Sequence, residues 1–158
     1  MYKRQVLNCR DVNPDSTQIG YHYPNGQWWW NSGHYLKPNE WTHLAMVVES
    51  NGITIYKNGV GSKHYFNVPL RNLISSGAIG SFLSATWYRN FKGYVDEAAF
   101  YNRSLTANEI RSMMHLTKQN PKYIAQQDAG LIAYYQYNEM SNSSSSCLLY
   151  TSQTKGGR

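Results

Sequence analysis

Three Asn-Gly pairs punctuate the first half of this chain: Asn25-Gly26, Asn51-Gly52 and Asn58-Gly59. The pair suits a type I′ turn, which needs positive φ at both central residues and matches the twist of two antiparallel strands. Strand-like runs flank each pair. Gln18 to Tyr23 lead into the first and Gln27 to Trp30 leave it. Thr42 to Glu49 lead into the second, Ile53 to Lys57 join second to third, and Val60 to Phe66 follow. The spacing predicts an antiparallel meander of four or more strands between Gln18 and Phe66. His43 to Val48 is apolar on both faces, as expected of a central, doubly covered strand. Ala78 to Leu83 and Tyr94 to Tyr101 read as two more strands. In the second, Tyr94, Asp96, Ala98 and Phe100 would share one face, and Val95, Glu97, Ala99 and Tyr101 the other.

Composition agrees with strands. Aromatic residues make up 15% of the 158, with 14 Tyr and 5 Trp, and only 15% are charged. That balance suits a half-buried pleated surface and not a disordered chain. No apolar run approaches the ~20 residues of a membrane helix, so no membrane insertion is expected. The net charge of +6 weakens once located. Lys3, Arg4, Lys155 and Arg158 sit at the extreme ends; removing those four from the 15 basic residues leaves 11 against 9 acidic ones. The rest are scattered, whereas a nucleic-acid footprint clusters them, and no nucleic-acid partner is expected. Cys9 and Cys147 are isolated thiols that define neither a disulfide framework nor a metal pair. Met1 to Asn8 contain no apolar stretch of the signal-peptide kind.

One helix is legible. Thr106-Ala107-Asn108-Glu109 forms a capping box, with Thr106 as N-cap and Glu109 at N3, and Leu105 and Ile110 occupy the positions of a hydrophobic staple. The helix should run from Ala107 to about His115, with Pro121 barring much extension. Gln119 to Asp128 reads as a linker. Gly130 to Glu139 is a new strand signal, after which the pattern collapses into Ser143 to Ser146.

Phe91 to Ile110, with Gly93, Asp96-Glu97, Tyr101-Asn102-Arg103 and Glu109-Ile110 in place, resembles the signature of LamG-like jelly-roll domains, of the concanavalin A-like lectin/glucanase superfamily. Trp41-Thr42-His43-Leu44-Ala45 is similar to the family's W-x-H-V/L-A strand, Tyr56-Lys57-Asn58-Gly59 to its Y-x-N-G hairpin, and Ile79-Gly80 to the I-G before the signature. Order and spacing agree over about residues 18–117. The resemblance implies an all-β fold, a two-sheet antiparallel jelly-roll β-sandwich with one short helix on its C-terminal side. The family's opening strands have no counterpart before Val6, so residues 6–118 are expected to be a jelly-roll domain lacking its front strands and poorly stable alone. Residues 119–128 are then a linker, and 129–146 the start of a following strand or domain. Residues 1–5 and 147–158 resemble translated sequencing adapter of the kind found in metagenomic assemblies, and are taken as foreign tails. The resemblance also implies a slice of a multidomain secreted or cell-surface protein, and calcium held by oxygen ligands near Asp96. Calcium takes six to eight oxygens, and the family's other Asp ligands have no counterpart here. A capping or turn-bonding role for Asp96 stands beside the metal role.

Catalysis is not expected. A retaining glucanase needs two carboxylates about 5 Å apart, and Asp96-Glu97, adjacent on a strand, would point to opposite faces. No nucleophile elbow, triad or zinc pattern occurs. The informative cluster is Trp28-Trp29-Trp30. Sugars lay C–H patches on flat indoles, and a two-layer sandwich cannot easily bury both faces of this strand. Trp28 and Trp30 share one face and Trp29 the other, with Tyr21, His22 and Tyr23 across the turn. The carbohydrate-binding candidates are therefore Trp28, Trp29, Trp30, Tyr21 and Tyr23, each of which could instead be core. Trp41 is expected in the core, and His43 as an ordinary strand histidine. The expected function is a non-catalytic carbohydrate-binding module whose partner is a polysaccharide or glycoprotein glycan. A protein-interaction or adhesion module, or a structural spacer, is the alternative, since fold does not choose among them.

Overall fold

The computed structural model describes residues 6–13, 15–23, 27–68, 79–80, 91–116, 130–135 and 137. The strands are β1 (Val6–Asn13), β2 (Ser16–Tyr23), β3 (Gln27–Trp29), β4 (Tyr35–Leu36), β5 (Leu44–Glu49), β6 (Gly52–Lys57), β7 (Val60–Tyr65), β8 (Ala98–Tyr101) and β9 (Leu131–Tyr135). The helix α1 spans Ala107–Leu116. Two compact units result. One holds β1–β7 and most of α1, the other β8 and β9. Among the described residues no helix is long and apolar enough to cross a membrane.

The first unit is a sandwich of two antiparallel sheets. In one, β2 pairs with β1 on one side, and on the other with β3 and β4 in turn. The chain between β3 and β4 leaves the ladder, and Ser32 patches the gap by donating its hydroxyl to the Ile19 carbonyl at 2.5 Å. The second sheet runs β5-β6-β7. Ile19 and Tyr21 from the first sheet meet Ile53 and Ile55 from the second. Val68 completes this buried cluster, with Leu7, Trp29, Leu36, Leu44, Met46, Val48 and Phe66 packed around it. The alternation of β2 sends odd residues inward and even residues outward.

The Asn58-Gly59 turn forms as its chemistry requires. Lys57 pairs with Val60, and the two residues between them have φ of 48° and 77°, both positive. Asn58 also accepts a bond from the His43 amide on its side-chain oxygen and donates its own amide to the His43 carbonyl, both at 2.9 Å. That reciprocal pair ties the Y-x-N-G hairpin to the W-x-H segment. The second turn is shifted by one residue. Glu49 pairs with Gly52, so Ser50 and Asn51 form the loop and Gly52 opens β6. Asn25-Gly26 lies outside the described residues, although Tyr23 and Gln27 on either side are paired.

β1 was not expected as a strand; Asn8, Arg10 and Asp11 interrupt any apolar alternation in it. The central strand also differs from expectation. Among the described residues β6 is central, with Gly52, Ile53, Thr54 and Ile55 all buried, while β5 lies at the edge and is mostly half-buried. An apolar run reports burial, not strand order. Trp41 is corrected outright. It is 73% exposed, in the irregular chain between β4 and β5, where no pleat directs it inward.

The helix begins where expected. Glu109 donates its amide to the Thr106 hydroxyl oxygen at 3.2 Å, and the Thr106 amide donates to the Glu109 carboxylate at 2.7 Å. Both arms of the capping box are made. Ile110 is fully buried, Arg111 donates to the Gly59 carbonyl at 3.3 Å, and Ser104 to the Val48 carbonyl at 3.0 Å, so the capped segment is fastened to the β5–β7 sheet.

In the second unit β8 pairs antiparallel with β9, with a register shift between Phe100 and Tyr101. The strand signal that begins at Gly130 is thus β9. The strand expected from Tyr94 starts only at Ala98. Glu97 has a φ of 53°, which breaks the two-residue alternation before it. Of the strand expected over 78–83, only Ile79 and Gly80 are described, and they lie in a bend. The linker over 119–128 and the tails at 1–5 and 147–158 lie outside the described residues.

Candidate functional site

The outward positions of the β1–β4 sheet carry the site. Residues paired across antiparallel strands share a face. Arg10 and Tyr35 pair with Gln18, Asn8 with Gly20, and Val6 and Trp28 with His22. The rings on this face form a continuous stack. His22 and Trp28 lie 4.0 Å apart between centroids and 13° from parallel. Trp28 and Trp30 follow at 6.4 Å and 18°. The Arg10 guanidinium carbon then sits 4.7 Å from the centre of the Trp30 ring, within cation–π range. Trp28 is 53% exposed, and Trp30 is half-buried.

Gly20 makes the stack possible. A Cβ there would lie 2.5 Å from Cε3 of Trp30 and would also strike the Trp29 carbonyl oxygen. With no side chain in the way, the Trp30 indole lies across β2 instead of standing off it. Gln18 holds the far end. It is 8% exposed. Its side-chain amide donates to the Trp30 carbonyl at 2.6 Å, and its oxygen accepts from Nε and Nη2 of Arg10 at 3.0 and 2.7 Å. Burial lowers the pKa of His22 from its ordinary value, which favours a neutral ring beneath Trp28.

The five expected aromatic candidates therefore divide. Trp28 and Trp30 come together on the exposed face. Tyr21 and Trp29 are corrected: they pair with each other on the inner face. Tyr21 has no solvent exposure, so it cannot meet a sugar, and Trp29 packs against the core. Tyr23 pairs with Gln27 through its backbone, and its side chain lies outside the described residues. Arg10, Gln18 and Gly20 were not anticipated. Arg10 lies on a strand without periodic signal, and the other two matter only because β1 and β3 flank them.

A second feature of this unit is an open depression of about 590 Å³ lined by Asp15, His34, Tyr35, Lys37, Glu40 and Lys57, among others. It mixes both signs of charge. Lys57 donates to the Tyr35 carbonyl at 2.5 Å, and His34 Nε2 is buried without a hydrogen-bond partner among the described residues. His43, the strand histidine, is half-buried just before β5, and burial lowers its pKa.

Asp96 sits in the second unit, exposed, with Oδ1 accepting from the Glu97 amide at 3.0 Å. That is the turn-bonding role. One oxygen of Glu97 is shielded and unpartnered among the described residues. Burial, helped by Asp96, pushes its carboxyl up to about 7. Among the described residues no group of three or more His, Cys, Asp or Glu could hold a metal ion. Calcium needs six to eight oxygens, and this donor pair does not supply such a set.

Comparison with solved structures gives a distant likeness to an S-layer domain-containing protein from Clostridium thermocellum. It is 19% identical, with a TM-score of 0.43, over 70% of this chain; the chain spans 62% of that structure's length. No curated protein matches the chain. Residues 8–111, which run from β1 into α1, match the family described as the concanavalin A-like lectin/glucanases superfamily. The match covers well over half of the sequence and includes the hairpin, the W-x-H segment and the capped start of the helix, so this chain belongs to the concanavalin A-like lectin/glucanases superfamily.

Proposed function

We propose that this domain is a non-catalytic carbohydrate-binding module of a secreted or cell-surface multidomain protein, which holds a polysaccharide or glycoprotein glycan on the Trp28–Trp30 face. The observation that carries the reading is the half-exposed Trp28 indole, stacked on His22 through one face, with the near-parallel Trp30 ring offset beside it at 6.4 Å. An aromatic ring fixed on a sheet loses little freedom when a flat sugar face stacks on it, so more of the contact energy appears as affinity. Arg10, held by Gln18, borders the rings with a polar group that can meet a ligand's oxygens. Binding without cleavage fits the carboxylates: Asp96 and Glu97 are neighbours in a turn, and the register places no acidic residue among the described residues of the aromatic face.

The test is a glycan array followed by calorimetry on wild type and Trp28→Ala. Loss of at least about tenfold in affinity with an unchanged melting curve is expected, the size typical of a binding hot spot. Equal binding by the variant would remove the face from the site. A protein that binds no glycan would pass to the alternative, a protein-interaction or adhesion module. Release of reducing ends from any bound polysaccharide would overturn the non-catalytic reading, and Glu97 would be the first residue to replace.

A further inference from the structure

We propose that Arg10 makes this face selective for a carboxylated sugar, so that the ligand is an acidic, uronate-bearing polysaccharide with one ring on Trp28 and a carboxylate on the guanidinium; this rests on the carbohydrate reading above.

Arg10 is held as a binding group is held. A guanidinium offers two hydrogen-bonding edges and two flat faces. The Nε/Nη2 edge is occupied, with both nitrogens donating to Gln18 Oε1. The guanidinium carbon lies over the Trp30 ring, 4.7 Å from its centre. Gln18 is itself nearly buried and anchored to the Trp30 backbone, so the guanidinium is fixed in place by neutral partners. The outer edge, Nη1 with the second hydrogen of Nη2, makes no bond among the described residues and points a pair of parallel donors away from Gln18. Two parallel N–H groups match the two oxygens of a carboxylate.

Among the described residues the charge is also unanswered. The two ion pairs among the described residues are Lys37–Glu40 and Lys63–Glu49, and neither involves Arg10. The register puts Asn8, Arg10, Gln18, Gly20, His22, Trp28 and Tyr35 on this face, and the ring contacts add Trp30. No acidic residue is among them. Asp11 falls on the other parity and accepts from the Thr17 hydroxyl at 2.9 Å. A cation that no acid among the described residues neutralises, held beside a sugar-stacking ring, favours a ligand that carries both a flat ring and a carboxylate. A guanidinium whose fork is already oriented loses less rotamer freedom on binding than a free surface arginine.

The experiment uses the full chain and a panel of polyuronates: polygalacturonate, alginate and hyaluronan. Each is set against its carboxyl-reduced form, with dextran sulfate as the non-carboxylate anion, and affinities are read by calorimetry at two salt concentrations. Wild type should bind at least one polyuronate about tenfold or more tightly than its reduced form, and added salt should shrink that ratio. Arg10→Gln should bring the ratio of acidic to reduced-form affinity close to one. Arg10→Lys, which keeps the charge but not the fork, should recover only part of it. Should reduced and acidic forms bind alike, or Arg10→Gln keep the preference, the inference fails and the carbohydrate reading survives. Dextran sulfate binding as tightly as the best polyuronate would overturn the carboxylate assignment. If no polymer in the panel binds and the glycan array is also blank, both fail together. The salt dependence of wild type decides the matter even if a variant does not fold.

Discussion

The phenol oxygen of Tyr21 on β2 lies 2.7 Å from Nδ1 of His64 on β7, a hydrogen bond that joins the two sheets of the sandwich. Around it the aromatic residues interlock. Trp29 stacks on His64 at 5.0 Å and 17°, and Phe66 lies 6.4 Å from Tyr21 and 5.1 Å from His64. Burial pushes the Tyr21 hydroxyl up to about 12, so it keeps its proton through the neutral range and can donate to Nδ1. Tyr21→Phe keeps the ring and removes the bond. It should cost about 1 kcal/mol, the usual net worth of such a bond, read as a lower urea midpoint at unchanged slope.

Gly20→Ala tests the seating of Trp30. The new methyl would meet the Trp30 ring and the Trp29 carbonyl oxygen, and backbone cannot swing aside as a side chain can. The expected cost is about 1–3 kcal/mol, as for overpacking elsewhere. The near-ultraviolet circular dichroism of the Trp28–Trp30 stack should fall, and glycan affinity with it. An unchanged spectrum would mean that Trp30 does not lie over β2.

Thr106→Ala removes the N-cap of α1. The variant loses the acceptor for the Glu109 amide and one of the two bonds that the Glu109 carboxylate receives from Thr106. Destabilisation of about 1 kcal/mol is expected. Melting curves that overlay would show that the helix start is held by Ile110 and Arg111 alone.

Glu97 makes stability depend on pH. Its folded carboxyl is raised from 4.5 to about 7, first by burial and then by Asp96. A group raised in the folded state holds its proton more tightly there than in the unfolded chain. Its contribution is therefore full below about 4.5 and is lost as pH rises toward about 7. Glu97→Gln, neutral at every pH, should match wild type near pH 4 and melt at a higher temperature than wild type at pH 7.5. A constant difference across that range would show that Glu97 titrates normally.

Local chemistry decided the turn at Asn58-Gly59, the cap at Thr106 and the β5–β6–β7 meander, because turn dihedrals and capping bonds involve residues close in sequence, whereas the expected single meander from Gln18 to Phe66 is divided between two sheets. The two faces of the Trp28-Trp29-Trp30 strand were likewise legible from the two-residue period of a strand. Which face is buried was not. Tyr21 and Trp29 go inward because β2 and β3 lie over Ile53 and Ile55 of the other sheet, a partner 24 or more residues away that alternation alone does not specify. The displaced turn at Ser50-Asn51 and the early end of the Tyr94 strand at Glu97 show the same limit, since register and φ there answer to pairing with β6 and to a local turn. Arg10 had no signal at all in sequence. It became part of the site only when β1 paired with β2, which set Arg10 opposite Gln18 and placed a guanidinium over the ring of a tryptophan 20 positions on.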